Sequence, residues 1–180
     1  MIVTSLLASM LVLVVVAAAI TDVRTRRIPN VLTVGALVLA LAVRATMGGG
    51  ALLDGMAAAG AAFAIALPVF ALGGLGGGDV KLLAAVGAFL GLEPLWGALF
   101  VTIMVGGAMA LISVLRRRHA QETLANLYII TKGLTRKESY TGWKGEQGDA
   151  PLTIRSAGVV TRPFGVAIAA GAIYAVFPIF

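Results

Sequence analysis

The sequence predicts an all-α, polytopic integral membrane protein: six transmembrane helices in a single domain, residues 1–180. Three observations predict it. The chain is 59% apolar and 12% charged, where soluble domains run at about 45–50% apolar and about 25% charged. The apolar residues gather into runs near the length of about 20 that a helix needs to cross the hydrocarbon core. The lysines and arginines collect in alternate connections, the pattern that orients membrane proteins. A water-soluble chain of 180 residues has too little interior to hide this much apolar surface. Disorder requires the opposite composition. The mean hydropathy of +0.99 agrees.

The first span, 2–20, carries no charge and has no Lys or Arg before it, so it does not read as a signal peptide. The loop 21–30 follows, with Asp22, Arg24, Arg26 and Arg27. The second span, 31–43, ends at Arg44 and the turn Gly48-Gly49-Gly50. The third, 51–72, has Asp54 in its expected first turn, where the helix dipole favours an acid. A glycine-rich stretch, 73–79, then closes on Asp79; it is read as a loop, because glycine is a poor helix former. The fourth span, 80–92, is short, and Glu93-Pro94 marks the break after it. The fifth, 95–115, stops at Arg116-Arg117-Arg118. A polar loop follows to residue 162, and the sixth span is 163–180. Inside the long loop, Leu124, Leu127, Tyr128, Thr131 and Leu134 recur at helical spacing, the pattern of an amphipathic helix on the membrane surface; 142–151 reads as loop.

Six spans put the loops 21–30, 73–81 and 116–162 on one side. Every Lys and Arg except Arg44 lies in those loops, which makes them cytoplasmic and places both termini outside. The net charge of +6 is therefore read as orientation in a lipid bilayer, with no nucleic-acid partner. Trp96 and Trp143 are candidate interfacial anchors. The segment Gly87-Ala88-Phe89-Leu90-Gly91 is a GxxxG pattern that permits close helix packing in lipid.

The chain has no cysteine and one histidine, His119. That removes thiolate metal sites, cysteine nucleophiles and histidine-based triads or metal centres. No metal and no cofactor are expected, and acid–base chemistry falls to carboxylates, lysines and tyrosines. The topology places Asp22, at the end of span one, and Asp79, at the start of span four, at the same depth on the same side. Two carboxyls brought together do not both ionise readily. A protonated and an ionised carboxyl sharing a water can hydrolyse an amide. Each acid also has a plainer reading: Asp22 as an interfacial acid paired with an arginine, Asp79 as an acid in a helical first turn. A phosphate-binding reading of the glycine run fails, because a P-loop needs Lys and Ser or Thr where Asp79 stands.

Gly76-Gly77-Gly78-Asp79 is a GxGD motif, continued by Val80-Lys81-Leu82-Leu83; Asp22 is followed by Arg26-Arg27-Ile28-Pro29-Asn30; the last span opens Pro163-Phe164-Gly165. In this order the three resemble the type IV prepilin peptidases, in the short form associated with tight-adherence (Flp) pili. The resemblance implies a membrane aspartic endopeptidase of the bacterial cytoplasmic (inner) membrane that removes the leader of Flp-type prepilins or pseudopilins at the cytoplasmic face. It implies Asp22 and Asp79 as the catalytic pair and the pilus assembly machinery as a possible partner. Longer relatives carry a four-cysteine zinc site and N-methylate the product; without cysteine, N-methylation is not expected here. Gly76, Gly77 and Gly78 are expected to let the substrate backbone approach, with small residues at 57–62 leaving a lateral groove for its apolar segment. Lys81 is a supporting candidate that either snorkels to the interface or tunes the carboxyl pair. Asp54 and Glu93, on the opposite side, are expected to be silent on substitution. The competing readings are a presenilin-like intramembrane protease, which also uses GxGD but has Tyr where this chain has Thr21, and a non-enzymatic transport or assembly subunit.

Overall fold

In the computed structural model, residues 2–71, 74–116 and 164–177 are described. They form helices α1 (Ile2–Thr25), α2 (Asn30–Thr46), α3 (Gly49–Ala71), α4 (Gly77–Leu90), α5 (Leu92–Arg116) and α6 (Phe164–Val176). The chain divides into two compact units, Met1–Gly106 with Thr161–Phe180, and Gly107–Val160. Of the second, the described part is the end of α5. The expected surface helix of the long loop, His119, Trp143 and Pro163 lie outside the described residues, as does Gly73.

Among the described residues, helices cover the six apolar runs in the expected order, but their lengths differ from six full spans. The segments Ser5–Thr25, Gly49–Ala71 and Leu92–Ile112 are long and apolar enough to cross a membrane. The helices α2, α4 and α6 have 17, 14 and 13 residues, below the length of about 20 that crosses a bilayer untilted. Bulky apolar side chains cover the outside, among them Leu13, Val31, Phe100 and Ile103, each more than half exposed. An exterior of this kind is suited to lipid, and the protein is an all-α membrane protein.

The interior is organised around α4. This helix packs against α1, α2, α3 and α6, and every residue from Leu82 to Phe89 is buried. The neighbouring helices each turn a stripe of buried residues toward the interior at intervals of three or four, the spacing of one helical face. On α1 the stripe is Leu7, Leu11, Val15, Ala18 and Asp22. On α2 it is Thr33, Ala36, Ala40 and Arg44, and on α3 it is Gly55, Ala58, Ala62 and Ala66. The α3 stripe is small so that α4 can come close: a Cβ on Gly87 would stand 2.6 Å from the Ala58 carbonyl oxygen. Of the small residues at 57–62, Ala58 and Ala62 are therefore covered by the bundle, while Ala57 and Gly60 are exposed. Gly171 of α6 likewise lies against the Ala98 carbonyl and Thr102 of α5.

The stripe of α2 ends in a buried cation. Arg44 Nη1 pairs with Asp54 Oδ2 at 2.9 Å and donates to the Ala51 carbonyl at 3.0 Å. Its Nη2 donates to the Phe89 carbonyl at 3.2 Å, and Asp54 Oδ1 accepts from the Leu92 amide at 3.1 Å. One ion pair thus ties the end of α2, the start of α3, the end of α4 and the start of α5. Here the structure corrects the sequence reading of Asp54. The helix α3 begins at Gly49, with Gly49 and Gly50 inside it and the turn at Met47-Gly48. Asp54 is in its second turn and serves as Arg44's partner. The break between α4 and α5 is at Gly91, with φ +84°, which only glycine adopts without strain. Glu93-Pro94 falls in the first turn of α5, where proline is tolerated because its missing N–H has no intrahelical partner.

Arg44→Ala is expected to lower unfolding stability in detergent by about 2 kcal/mol. That is below the range for a fully buried pair, because half the Asp54 side chain meets solvent. Asp54→Asn should cost less, since its amide oxygen still accepts from Leu92. Gly91→Ala should be at least as damaging as Arg44→Ala, because it combines backbone strain with a collision against the Asp54 carboxylate. Wild-type melting in Arg44→Ala and Gly91→Ala would show that this cluster does not hold the bundle together.

Candidate active site

The opposite end of α4 carries Asp79. It is buried, in the first turn of the helix. Its Oδ2 accepts from the Gly76 amide at 3.0 Å, a reach of three residues back that satisfies an N–H at the helix start. Gly76 has ordinary extended backbone, so the glycine is there for space: a Cβ would stand 3.0 Å from that same oxygen.

Asp22 comes from the last turn of α1. Four apolar residues precede it on the buried stripe, and the helical repeat that buries them turns its carboxyl inward; it is 6% exposed. Its Oδ2 accepts from the Gly165 amide in the first turn of α6, at 2.8 Å. The last bond of α1 runs from the Arg26 amide to the Asp22 carbonyl, 2.8 Å. Arg26 then takes φ +52°, an uncommon backbone for a residue with a Cβ, which turns the chain out of the helix. Thr25 Oγ1 bridges the turn by donating to the Arg27 carbonyl. Arg24, Arg26 and Arg27 are exposed, and none of them pairs with Asp22 among the described contacts, so the plain reading of Asp22 as an arginine's partner does not hold.

The structure therefore brings the two acids to one end of the bundle, where α1 packs on α4 and the turn after α1 meets the first turn of α4. It also brings in the turn after α1. Ile28 packs on Gly78, where a Cβ would come within 3.1 Å of the isoleucine Cβ. Lys81 Nζ donates to Asn30 Oδ1 at 2.9 Å, on the exposed side. Lys81 is thus a strut between α4 and the start of α2, and among the described residues it makes no hydrogen bond to either acid. Gly77 and Gly78 are not loop residues: they form the first turn of α4. Of the three glycines expected at the substrate approach, Gly76 is at the carboxylate of Asp79 and Gly78 is under Ile28. Gly77 is exposed, with only ordinary contact to Phe70 available. Among the described residues no cluster of three or more His, Cys, Asp or Glu could hold a metal ion. Gly165 was not singled out as a site residue by the sequence reading; its place in the Pro163-Phe164-Gly165 motif was the available signal.

A helical membrane bundle with two buried carboxylates from different helices at one end of its central helix has the parts of an intramembrane acid–base site. Residues 9–111 match the type IV leader peptidase family, and the chain belongs to that family. It is similar to the prepilin leader peptidase/N-methyltransferase of Bacillus subtilis (strain 168), 32% identical over 108 residues. That match covers 59% of this chain and 44% of the relative, so the chain spans less than half of the relative's length. No solved structure matches the chain significantly.

Gly78→Ala is expected to loosen the Ile28 contact and lower the melting temperature in detergent, whereas Gly77→Ala should be tolerated. Equal melting of the two variants would remove the packing role given to Gly78.

Proposed function

We propose that this protein is a membrane aspartic endopeptidase that removes the leader peptide of type IV prepilins, with Asp22 and Asp79 as the catalytic pair. The observation that carries the reading is the burial of these two acids, from α1 and α4, at one end of the bundle in a chain of the type IV leader peptidase family. In the proposed reaction one carboxylate takes a proton from water, and the resulting hydroxide adds to the scissile carbonyl carbon. The other carboxyl protonates the carbonyl oxygen. Collapse of the tetrahedral intermediate breaks the C–N bond, and the proton held by the pair passes to the leaving amine. Both acids have one oxygen held by a glycine amide, so their orientation is set before substrate arrives.

The finer reading follows from charge and composition. Arg24, Arg26, Arg27 and Lys81 lie at the acids' end, which supports a cytoplasmic orientation of that end, and the family supports the bacterial inner membrane as its location. The substrates are prepilins of the Flp type or pseudopilins, whose product passes to the pilus assembly machinery. Peptidase activity without N-methylation is proposed, because the chain has no cysteine from which the zinc site of longer relatives could be built. Lys81 supports the site by holding α4 to the start of α2.

The test is co-expression with a candidate Flp-type prepilin and a gel shift for leader removal. Wild type should process it. Asp22→Asn and Asp79→Asn should each abolish processing while remaining inserted and folded. Near-normal processing by either variant would sink the assignment of the pair.

A further inference from the structure

We propose that Gly165 is the positioning residue for Asp22: its backbone amide and its missing side chain fix the carboxylate, so that docking of α6 completes the site. The inference rests on the reading of Asp22 as catalytic. The amide and the carboxylate are 143 residues apart in sequence, and their 2.8 Å bond is buried. The Gly165 N–H belongs to the first turn of α6, whose amides have no intrahelical acceptor. Donating it to Asp22 therefore takes no hydrogen bond from the helix. A Cβ on residue 165 would stand 2.9 Å from Asp22 Oδ2 and 3.1 Å from its Cβ, so any larger residue must push the acid aside. Gly165 itself is buried, with Ala167, Ile168 and Ala169 beyond it in the same interface, and α6 packs on both α1 and α4. These contacts leave the helix start little room to retreat.

The two acids differ in how they are held. The donor to Asp79 is Gly76, three residues away, so that contact forms with the start of α4 itself. The donor to Asp22 comes from the far end of the chain. Asp79 is pre-set by local structure, whereas Asp22 is set by tertiary docking of α6.

The test has two arms on the full chain in detergent. In the first, Gly165→Ala is combined with Asp22→Ala and all four proteins are melted. The alanine at 165 should destabilise wild type and do much less harm once the Asp22 carboxylate is gone. Equal losses in both backgrounds would overturn the proposal. If Gly165→Ala alone fails to fold, recovery in the double variant supports the proposal and failure to recover overturns it. This arm needs no cleavage, so it judges the contact even if the protein proves not to be a peptidase. In the second arm, prepilin cleavage by folded Gly165→Ala should show kcat reduced by about ten- to a hundredfold with KM nearly unchanged, the signature of a displaced reacting group. Gly97→Ala, on α5 with only ordinary contact to Tyr174, should leave both constants near wild type. Unchanged kcat in Gly165→Ala would overturn the positioning role.

Discussion

The whole architecture depends on enclosing α4. In lipid there is little hydrophobic gain from pressing helices together, so association relies on close van der Waals packing. A central helix with four helical neighbours meets that requirement only if the facing surfaces are nearly smooth. The chain supplies them with alanine and glycine: Ala84, Ala85, Gly87 and Ala88 on α4, and Gly55, Ala58, Ala62 and Ala66 on α3. Close backbones leave few voids, and a chain with few large core side chains still builds a continuous interior.

Enclosure of α4 also explains where charge is tolerated. Along the buried middle of the helix there is none. At each end a stripe from a neighbouring helix runs out in an ionisable residue: α1 delivers Asp22 beside Asp79, and α2 delivers Arg44 beside Asp54. The two ends solve the cost of burying charge differently. Arg44 is met by a carboxylate and two carbonyls at its two terminal nitrogens, which leaves only its buried Nε without a partner, an ion pair of the structural kind. At the other end two carboxyl groups from different helices are buried, each with one amide on one oxygen. Such an arrangement serves no packing purpose that an uncharged pair would not serve better, and it marks the end where chemistry is expected.

Much of this was legible in the sequence, for identifiable reasons. Apolar run length located the six helices in order. Alternation of the loops put Asp22 and Asp79 at a common end, because an even number of crossings between two positions returns the chain to the same side. What was not legible depended on partners. Gly77 and Gly78 read as loop because glycine is a poor helix former, yet the packing of Ile28 on Gly78 and of Asp79 into the bundle draws them into α4. Asp54 read as a helix-dipole acid because a cation ten residues earlier, on a different helix, has no periodic signature. The small residues at 57–62 read as an opening, since a composition of alanine and glycine does not say which face is covered; α4 covers Ala58 and Ala62, while Ala57 and Gly60 are exposed. Gly165 was visible only as part of a motif, and its contact with Asp22 is a fact of tertiary structure.

The helix α4 has 14 residues, so it rises about 21 Å where a hydrocarbon core is about 30 Å thick. A bilayer at such a helix thins locally or leaves one terminus sunk beneath the headgroups. Asp79 lies in the first turn of α4, so it is carried by one of the two termini that such a shortfall affects. Local thinning there shortens the path from bulk water to the acids, and it lowers the barrier to drawing an extended, polar stretch of peptide down to them. On the proposed reading of the two acids, the brevity of one helix becomes a means of hydrating residues that sequence composition alone would assign to oil.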